Sequence, residues 1–237
     1  MTTTREVRYF DRDEALNGVF ACKSSQPQQR PGILIIHGGA GLDDHATGRA
    51  ERFADAGYLA FACDMYGESV RGKRDRVMQQ IAELRRDRTV LTARVDAAIS
   101  MLSSDERFDG RLAVVGYCLG GMIALECARA GIDVAGVVSV HGNLGTSARA
   151  ERGSIKTRML VCHGSLDPHA PTTQVSEFVD EMNRAEADFR LVIYGRAMHG
   201  FTHETAIQPA NGVAYDAAAD ARSGVAIQTF LDELFTG

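Results

Sequence analysis

No run of apolar residues in this 237-residue sequence approaches the ~20 needed to cross a bilayer. The opening stretch, Met1-Thr2-Thr3-Thr4-Arg5-Glu6-Val7, lacks the apolar segment of a secretion signal. These absences predict a cytoplasmic protein with no membrane partner. The five cysteines, at 22, 63, 118, 127 and 162, form no CxxC pair and no zinc spacing. An odd, unpatterned count fits a reducing compartment, and no metal is expected. There is no excess of positive charge: 26 Lys and Arg stand against 31 Asp and Glu, a formal net charge of -5. That balance argues against a nucleic-acid partner. The basic cluster Arg71-Gly72-Lys73-Arg74 and Arg85-Arg86 is interleaved with acids and reads as a solvated helix face. No repeat with a period of 20–50 residues appears, and no composition break marks a linker. One domain over residues 1–237 is therefore expected.

What remains is an ordinary globular composition, 45% hydrophobic and 24% charged, in which apolar runs alternate with helical patterns. Residues 4–10 and 18–22 alternate and predict an opening pair of edge strands. Gln26 to Pro31 reads as a polar turn. Gly32–Ile36 is a buried strand ending in the glycine-rich His37-Gly38-Gly39-Ala40-Gly41. Thr47 to Ala56 reads as a helix with Thr47 as N-cap and Gly57 as its stop. Tyr58–Cys63 is the next strand. Residues 74–102 hold one or two helices, with Leu91, Val95, Ala98, Ile99 and Leu102 on one stripe. A polar turn, Asp105–Gly110, precedes a strand over Leu112–Val115. Later strands are expected at Val134–Val140, Arg158–Cys162 and Phe189–Tyr194. Helices are expected at Met122–Ala130, Thr172–Arg184 and Asp216–Phe235. This alternation predicts an α/β fold with a doubly wound, mostly parallel sheet and helices on both faces.

The chemistry concentrates in Gly116-Tyr117-Cys118-Leu119-Gly120-Gly121. A strand, a sharp Gly-x-Cys-x-Gly turn and a helix form a nucleophile elbow with cysteine in place of serine. Gly116 and Gly120 let strand and helix approach closely. The helix N-terminus behind Cys118 favours a thiolate, and its N–H groups can hold an oxyanion. A thiol nucleophile needs a base, and the base needs an orienting group. Asp167 and His199 each follow the end of a later strand, giving the order nucleophile, acid, histidine. The oxyanion donors expected are the N–H groups of Leu119 and of Gly39, with Gly38 or Ala40 as the next choices for the second. Other readings stand beside this one: Cys118 as an inert core cysteine, Cys118 as a redox sensor, His199 with His203 as metal ligands at helical spacing, and a ligand-binding protein that turns over nothing.

These motifs resemble the dienelactone hydrolase family of α/β-hydrolases. The resemblance rests on the cysteine elbow, on His163-Gly164-Ser165-Leu166-Asp167-Pro168 and on His199-Gly200-Phe201. Asp64-Met65-Tyr66-Gly67 and Gly212-Val213-Ala214-Tyr215-Asp216 are also similar, and the likeness runs from about Pro31 to the end. It implies a Cys118-His199-Asp167 triad acting on a small-molecule ester or lactone without metal or cofactor. Candidate pocket residues are His37, Gly38, Tyr66, Tyr117, Phe201 and His203. Two departures stand out. Glycine, at Gly38, occupies the place where the family carries a glutamate beside the thiol. His203 stands where the family carries an arginine for a substrate carboxylate.

Overall fold

Alternate apolar residues build the first hairpin of the chain. The computed structural model describes residues 1–23, 28–70 and 72–236. The chain divides into two compact units, Met1–Val114 and Val115–Gly237. Gln26 and Pro27 of the expected turn, and Arg71 of the basic cluster, lie outside the described residues.

In the first unit Thr2–Asp11 (β1) and Glu14–Lys23 (β2) pair antiparallel. Leu59–Cys63 (β4) pairs antiparallel with β2 and parallel with Arg30–Ile36 (β3). Of the expected pair, only β1 is therefore an edge strand. The expectation of two edges fails because β2 is sandwiched between β1 and β4, and its Phe20, Ala21 and Cys22 are all buried. β3 starts two residues before Gly32 because the Arg30 N–H donates to the Arg107 carbonyl at 2.8 Å. β4 is buried at all five positions, as a run without alternation requires.

The first helix spans Asp44–Asp55 (α1) and starts before Thr47. Its cap is Asp43, whose carboxylate accepts from the Ala46 N–H at 3.1 Å. Thr47 instead donates its hydroxyl to the Asp43 carbonyl inside the first turn. Residues 74–103 form two helices, Arg74–Arg86 (α2) and Arg88–Ser103 (α3). The break comes at Asp87, whose side chain accepts from Thr89 and Val90 N–H and so caps α3. α2 buries only Leu84, which leaves Arg85 and Arg86 on a solvated face. α3 buries Leu91, Val95, Ala98 and Leu102 of the expected stripe. Phe108–Tyr117 (β5) passes from one unit to the other. It takes in Asp109 and Gly110, so the polar turn before it is shorter than expected.

The second unit contains Leu119–Arg129 (α4), Gly136–Val140 (β6), Arg158–Gly164 (β7), Thr172–Ala185 (α5), Phe189–Tyr194 (β8) and Ala217–Thr236 (α6). β6, β7 and β8 are parallel. A two-stranded ribbon, Ile207–Gln208 (β9) with Val213–Ala214 (β10), fills the loop after β8. It has no apolar run to announce it. The strand order is β1-β2-β4-β3 in the first unit and β6-β7-β8 in the second.

Strand periodicity fixes what covers β6. A Cβ on Gly136 would lie 2.4 Å from Leu234 of α6, while Ser139 Oγ presses on Gly121 of α4. Positions three apart on a strand face opposite ways, so α6 and α4 cover opposite faces. All eleven residues of α4 are buried, including Glu126 and Arg129. Those two charges are satisfied internally. Arg129 donates to both carboxylate oxygens of Glu181 on α5 at 3.0 and 2.8 Å, to Glu126 at 2.9 Å and to the Leu144 carbonyl at 2.9 Å. Glu181 also accepts from the Ala150 N–H, which ties the loop after β6 to α5. Removing one member of such a network leaves a buried charge uncompensated. Arg129→Leu should lose about 3–5 kcal/mol of unfolding free energy. Adding Glu181→Leu should restore much of that loss, as read from denaturant midpoints.

Candidate functional site

β5 runs straight into Cys118 because nothing bulky stands at Gly116. A Cβ there would lie 1.9 Å from the Gly120 carbonyl oxygen, far inside van der Waals contact. Strand end and helix start are thus in touch, and the residue between them must turn sharply. Cys118 does so at φ 55° and ψ -113°, outside the regions that L-residues favour. Its N–H donates to the Val140 carbonyl at 3.0 Å and its carbonyl accepts from the Met122 N–H at 3.2 Å. Helix α4 starts at Leu119, three residues earlier than expected, so the elbow opens directly into its N-terminus. The first N–H groups of a helix have no intrahelical acceptor, and Leu119 supplies the first. Cys118 is half-buried, whereas Cys22, Cys63, Cys127 and Cys162 are buried.

The histidine arrives from the loop after β8. His199 is pinned on both sides: its N–H donates to the Gly212 carbonyl at 2.9 Å and its carbonyl accepts from the Ala214 N–H at 3.1 Å. The β9–β10 ribbon thus clamps the residue. Asp167 follows β7, with its N–H on the Gly164 carbonyl at 3.1 Å. One carboxylate oxygen accepts from the His169 N–H at 2.8 Å. The other accepts from His199 Nδ1 at 2.9 Å, which leaves His199 Nε2 at 3.0 Å from the Cys118 sulfur. The structure therefore brings Cys118, His199 and Asp167 into one relay.

Burial opposes a charge on the His199 ring. The hydrogen bonds to Asp167 and Cys118, and the negative charges there, outweigh it and push the pKa up to about 10. His163, on β7, has the opposite balance: burial lowers its pKa more than Asp167 raises it. Burial also pushes the Cys162 thiol up to about 12.

Leu119 and Gly120 lie in the buried first turn of α4. Tyr117 is buried at the end of β5. Phe201 is buried too, its ring 5.5 Å from that of Tyr194. His203 is half-buried, its ring 5.7 Å from that of His141. In the first unit His37 is fully buried; its Nε2 accepts from the Met65 N–H at 3.1 Å, so its Nδ1 donates to the Gly38 carbonyl at 2.7 Å. Burial holds the His37 pKa down. Tyr66 donates its hydroxyl to the Gly39 carbonyl at 2.9 Å. Among the described residues, no group of three or more His, Cys, Asp or Glu side chains is arranged to hold a metal ion. No helix among them is long and apolar enough to cross a membrane.

Sequence reasoning missed two neighbours of the relay. The exposed His169 ring stands 4.6 Å from that of His199, edge to face. His141, directly after β6, accepts from the Cys118 N–H through Nδ1 at 3.1 Å. A histidine followed by glycine at the end of an apolar run was the available signal, since His37 and His163 share it.

The profile of the dienelactone hydrolase family matches residues 16–235. The chain belongs to the dienelactone hydrolase family. The match begins inside β2, earlier than Pro31. A crystal structure of a dienelactone hydrolase-like promiscuous phosphotriesterase from metagenomic libraries is 33% identical, covers 98% of each chain and superposes with a TM-score of 0.91. An uncharacterized protein of Caenorhabditis elegans is 36% identical over 149 residues, 61% of this chain and 94% of its own. A Bradyrhizobium sp. protein named "Probable 2-oxo-3-(5-oxofuran-2-ylidene)propanoate lactonase" is 28% identical over 188 residues, 73% of this chain and 74% of its own. The fold is accordingly that of dienelactone hydrolase-like α/β-hydrolases, and the family is one of hydrolases.

The raised pKa of His199 links to stability with a definite sign. A pKa raised on folding stabilises the fold fully below the ~6.5 of a free imidazole. That contribution is lost as pH rises through about 10. The wild-type melting temperature should therefore fall more steeply between pH 7 and pH 10 than that of His199→Gln. Parallel profiles for the two proteins would contradict the assignment.

Proposed function

We propose that this chain hydrolyses carboxylic esters or lactones by acyl transfer through Cys118. The observation that carries the reading is the unbroken relay from the Cys118 sulfur through His199 to Asp167, at 3.0 and 2.9 Å. The sulfur attacks the carbonyl carbon and the C=O pair moves onto oxygen. The Leu119 N–H, at the positive end of α4, holds that oxyanion. The tetrahedral intermediate collapses, the C–O bond breaks, and the His199 imidazolium gives its proton to the leaving alkoxide. Water, deprotonated by His199, then attacks the thioester and releases the acid and the Cys118 thiolate beside the protonated His199. Asp167 holds the Nδ1–H tautomer throughout. Of the expected pocket residues, Tyr117, Phe201 and His203 belong to this same unit. We read residues 1–237 as one hydrolase domain, since the family match spans both units.

The glycine at position 38 leaves that place without the family's carboxylate, which favours a resting thiolate–imidazolium pair. Iodoacetamide should then alkylate Cys118 at neutral pH at a rate within a few-fold of that at pH 9. A single titration near the ~8.5 of a free thiol would refute the pair. A second reading extends the same attack to a phosphorus centre, supported by the 33% identity to a promiscuous phosphotriesterase.

A panel of p-nitrophenyl esters, lactones and p-nitrophenyl diethyl phosphate separates these readings. Cys118→Ala should abolish turnover with p-nitrophenyl acetate while its melting temperature stays close to that of the wild type. His199→Ala should lose roughly 10³-fold or more in kcat. Wild-type activity in the Cys118→Ala protein would sink the proposal. An inactive wild type across the whole panel would favour a ligand-binding protein on a hydrolase fold.

A further inference from the structure

His141 lies outside the relay yet touches two of its members, Cys118 and His199. It follows β6 directly at φ 41°, a left-handed conformation that histidine enters more often than most residues. Its own N–H still donates to the Cys162 carbonyl at 2.8 Å, so the β6–β7 ladder runs one step past Val140. The ring is fully buried, with Nδ1 at 3.1 Å from the Cys118 backbone nitrogen and Nε2 at 2.9 Å from the Thr202 hydroxyl. A backbone amide can only donate, so Nδ1 is the acceptor. The proton therefore sits on Nε2 and is given to Thr202. The ring also packs edge to face on His199 at 5.4 Å and on Phe201 at 5.1 Å.

The Cys118 N–H is thus shared between the Val140 carbonyl and the His141 ring. Thr202 stands three residues after His199 on the same loop. One rigid imidazole joins the peptide of the elbow cysteine to the loop that carries its histidine. We propose that His141 is a positioning residue, a neutral brace that sets the separation of the Cys118 sulfur from His199 Nε2. The inference rests on the reading of Cys118 as nucleophile. A phenylalanine would fill the space and keep the ring contacts but offer no acceptor. An asparagine would place an oxygen near the Nδ1 position and tolerate the positive φ.

The test uses His141→Phe, His141→Asn and Thr202→Val, with p-nitrophenyl acetate turnover, iodoacetamide alkylation of Cys118 and melting temperature as readouts. His141→Phe should lose about 10–100-fold in kcat, the scale of a small misplacement of reacting groups, with KM within about three-fold of the wild type. Its alkylation rate at neutral pH should fall as well. His141→Asn should keep kcat and alkylation within a few-fold of the wild type, and Thr202→Val should fall between the two. A His141→Phe protein with wild-type kcat and alkylation overturns the proposal, as does a His141→Asn protein that falls as far as His141→Phe. If His141→Phe does not fold, Thr202→Val decides: unchanged rates in that variant overturn the brace. Alkylation needs no substrate, so a wild type that turns over no ester counts against the hydrolase reading and leaves the brace separately measurable.

Discussion

A backbone conformation at Cys118 that L-residues seldom take is what the rest of the site depends on. Strain of this kind costs roughly 1–3 kcal/mol and survives only where surrounding structure over-determines it. Here it does. The cysteine N–H has two acceptors, its carbonyl is committed to the first turn of α4, and Gly116 removes the Cβ that would push strand and helix apart. Packing supplies the opposing free energy. Met122, Ile123 and Leu125 of α4 are buried, at about 1.5–3 kcal/mol each. Three such residues outweigh the strain, so relaxing the turn would cost more than it released. The buried charges of Glu126 and Arg129 do not weaken this argument, because Glu181 and the Leu144 carbonyl meet them inside the same unit.

The partners of the thiol reach it by the same logic of strand ends. β7 and β8 are parallel neighbours, so the loops that leave them emerge at one end of the sheet. Asp167 leaves one and His199 the other. Loops alone would hold these groups loosely. The acid loop is closed on itself by the bond between the Asp167 N–H and the Gly164 carbonyl, and the histidine loop is gripped by Gly212 and by Ala214 of β10. Gly212 seals the two together: a Cβ there would lie 2.4 Å from the Pro168 ring. An order of nucleophile, acid and histidine in the chain thus becomes a line of two hydrogen bonds in space.

The features that could be read from sequence were those imposed by local backbone chemistry. The Gly-x-Cys-x-Gly turn is legible because only glycine permits the approach of Gly116 to the Gly120 carbonyl. The buried strands β3, β4, β6 and β7 are legible because parallel strands covered on both faces lose their alternation. Errors fell where a tertiary contact decides. β3 begins early because Arg30 finds the Arg107 carbonyl. Asp43 displaces Thr47 as cap because a carboxylate four residues upstream was free to reach the first turn. The β9–β10 ribbon is held by its contacts with His199 rather than by any propensity of Ile207 to Ala214. The role of Arg129 was invisible for the same reason, since its partner Glu181 is 52 residues away.

The histidines show where legibility ends. His37, His141 and His163 stand at or just beyond a strand end, His199 in the loop after β8, and each precedes a glycine. By pattern they are equivalent; by partner they are not. His37 receives the Met65 N–H and is held neutral by burial. His163 lies near Asp167, but its own burial prevails and lowers its pKa. His199 has a carboxylate on one nitrogen and a thiol on the other, and it is driven well above the usual imidazole range. His141 has an amide donor on one nitrogen and a hydroxyl on the other, which selects a single neutral tautomer. The His-Gly step delivers an imidazole to the end of a strand. Whether that ring moves a proton or holds a neighbour in place depends on the atoms set opposite its two nitrogens, and those come from elsewhere in the chain.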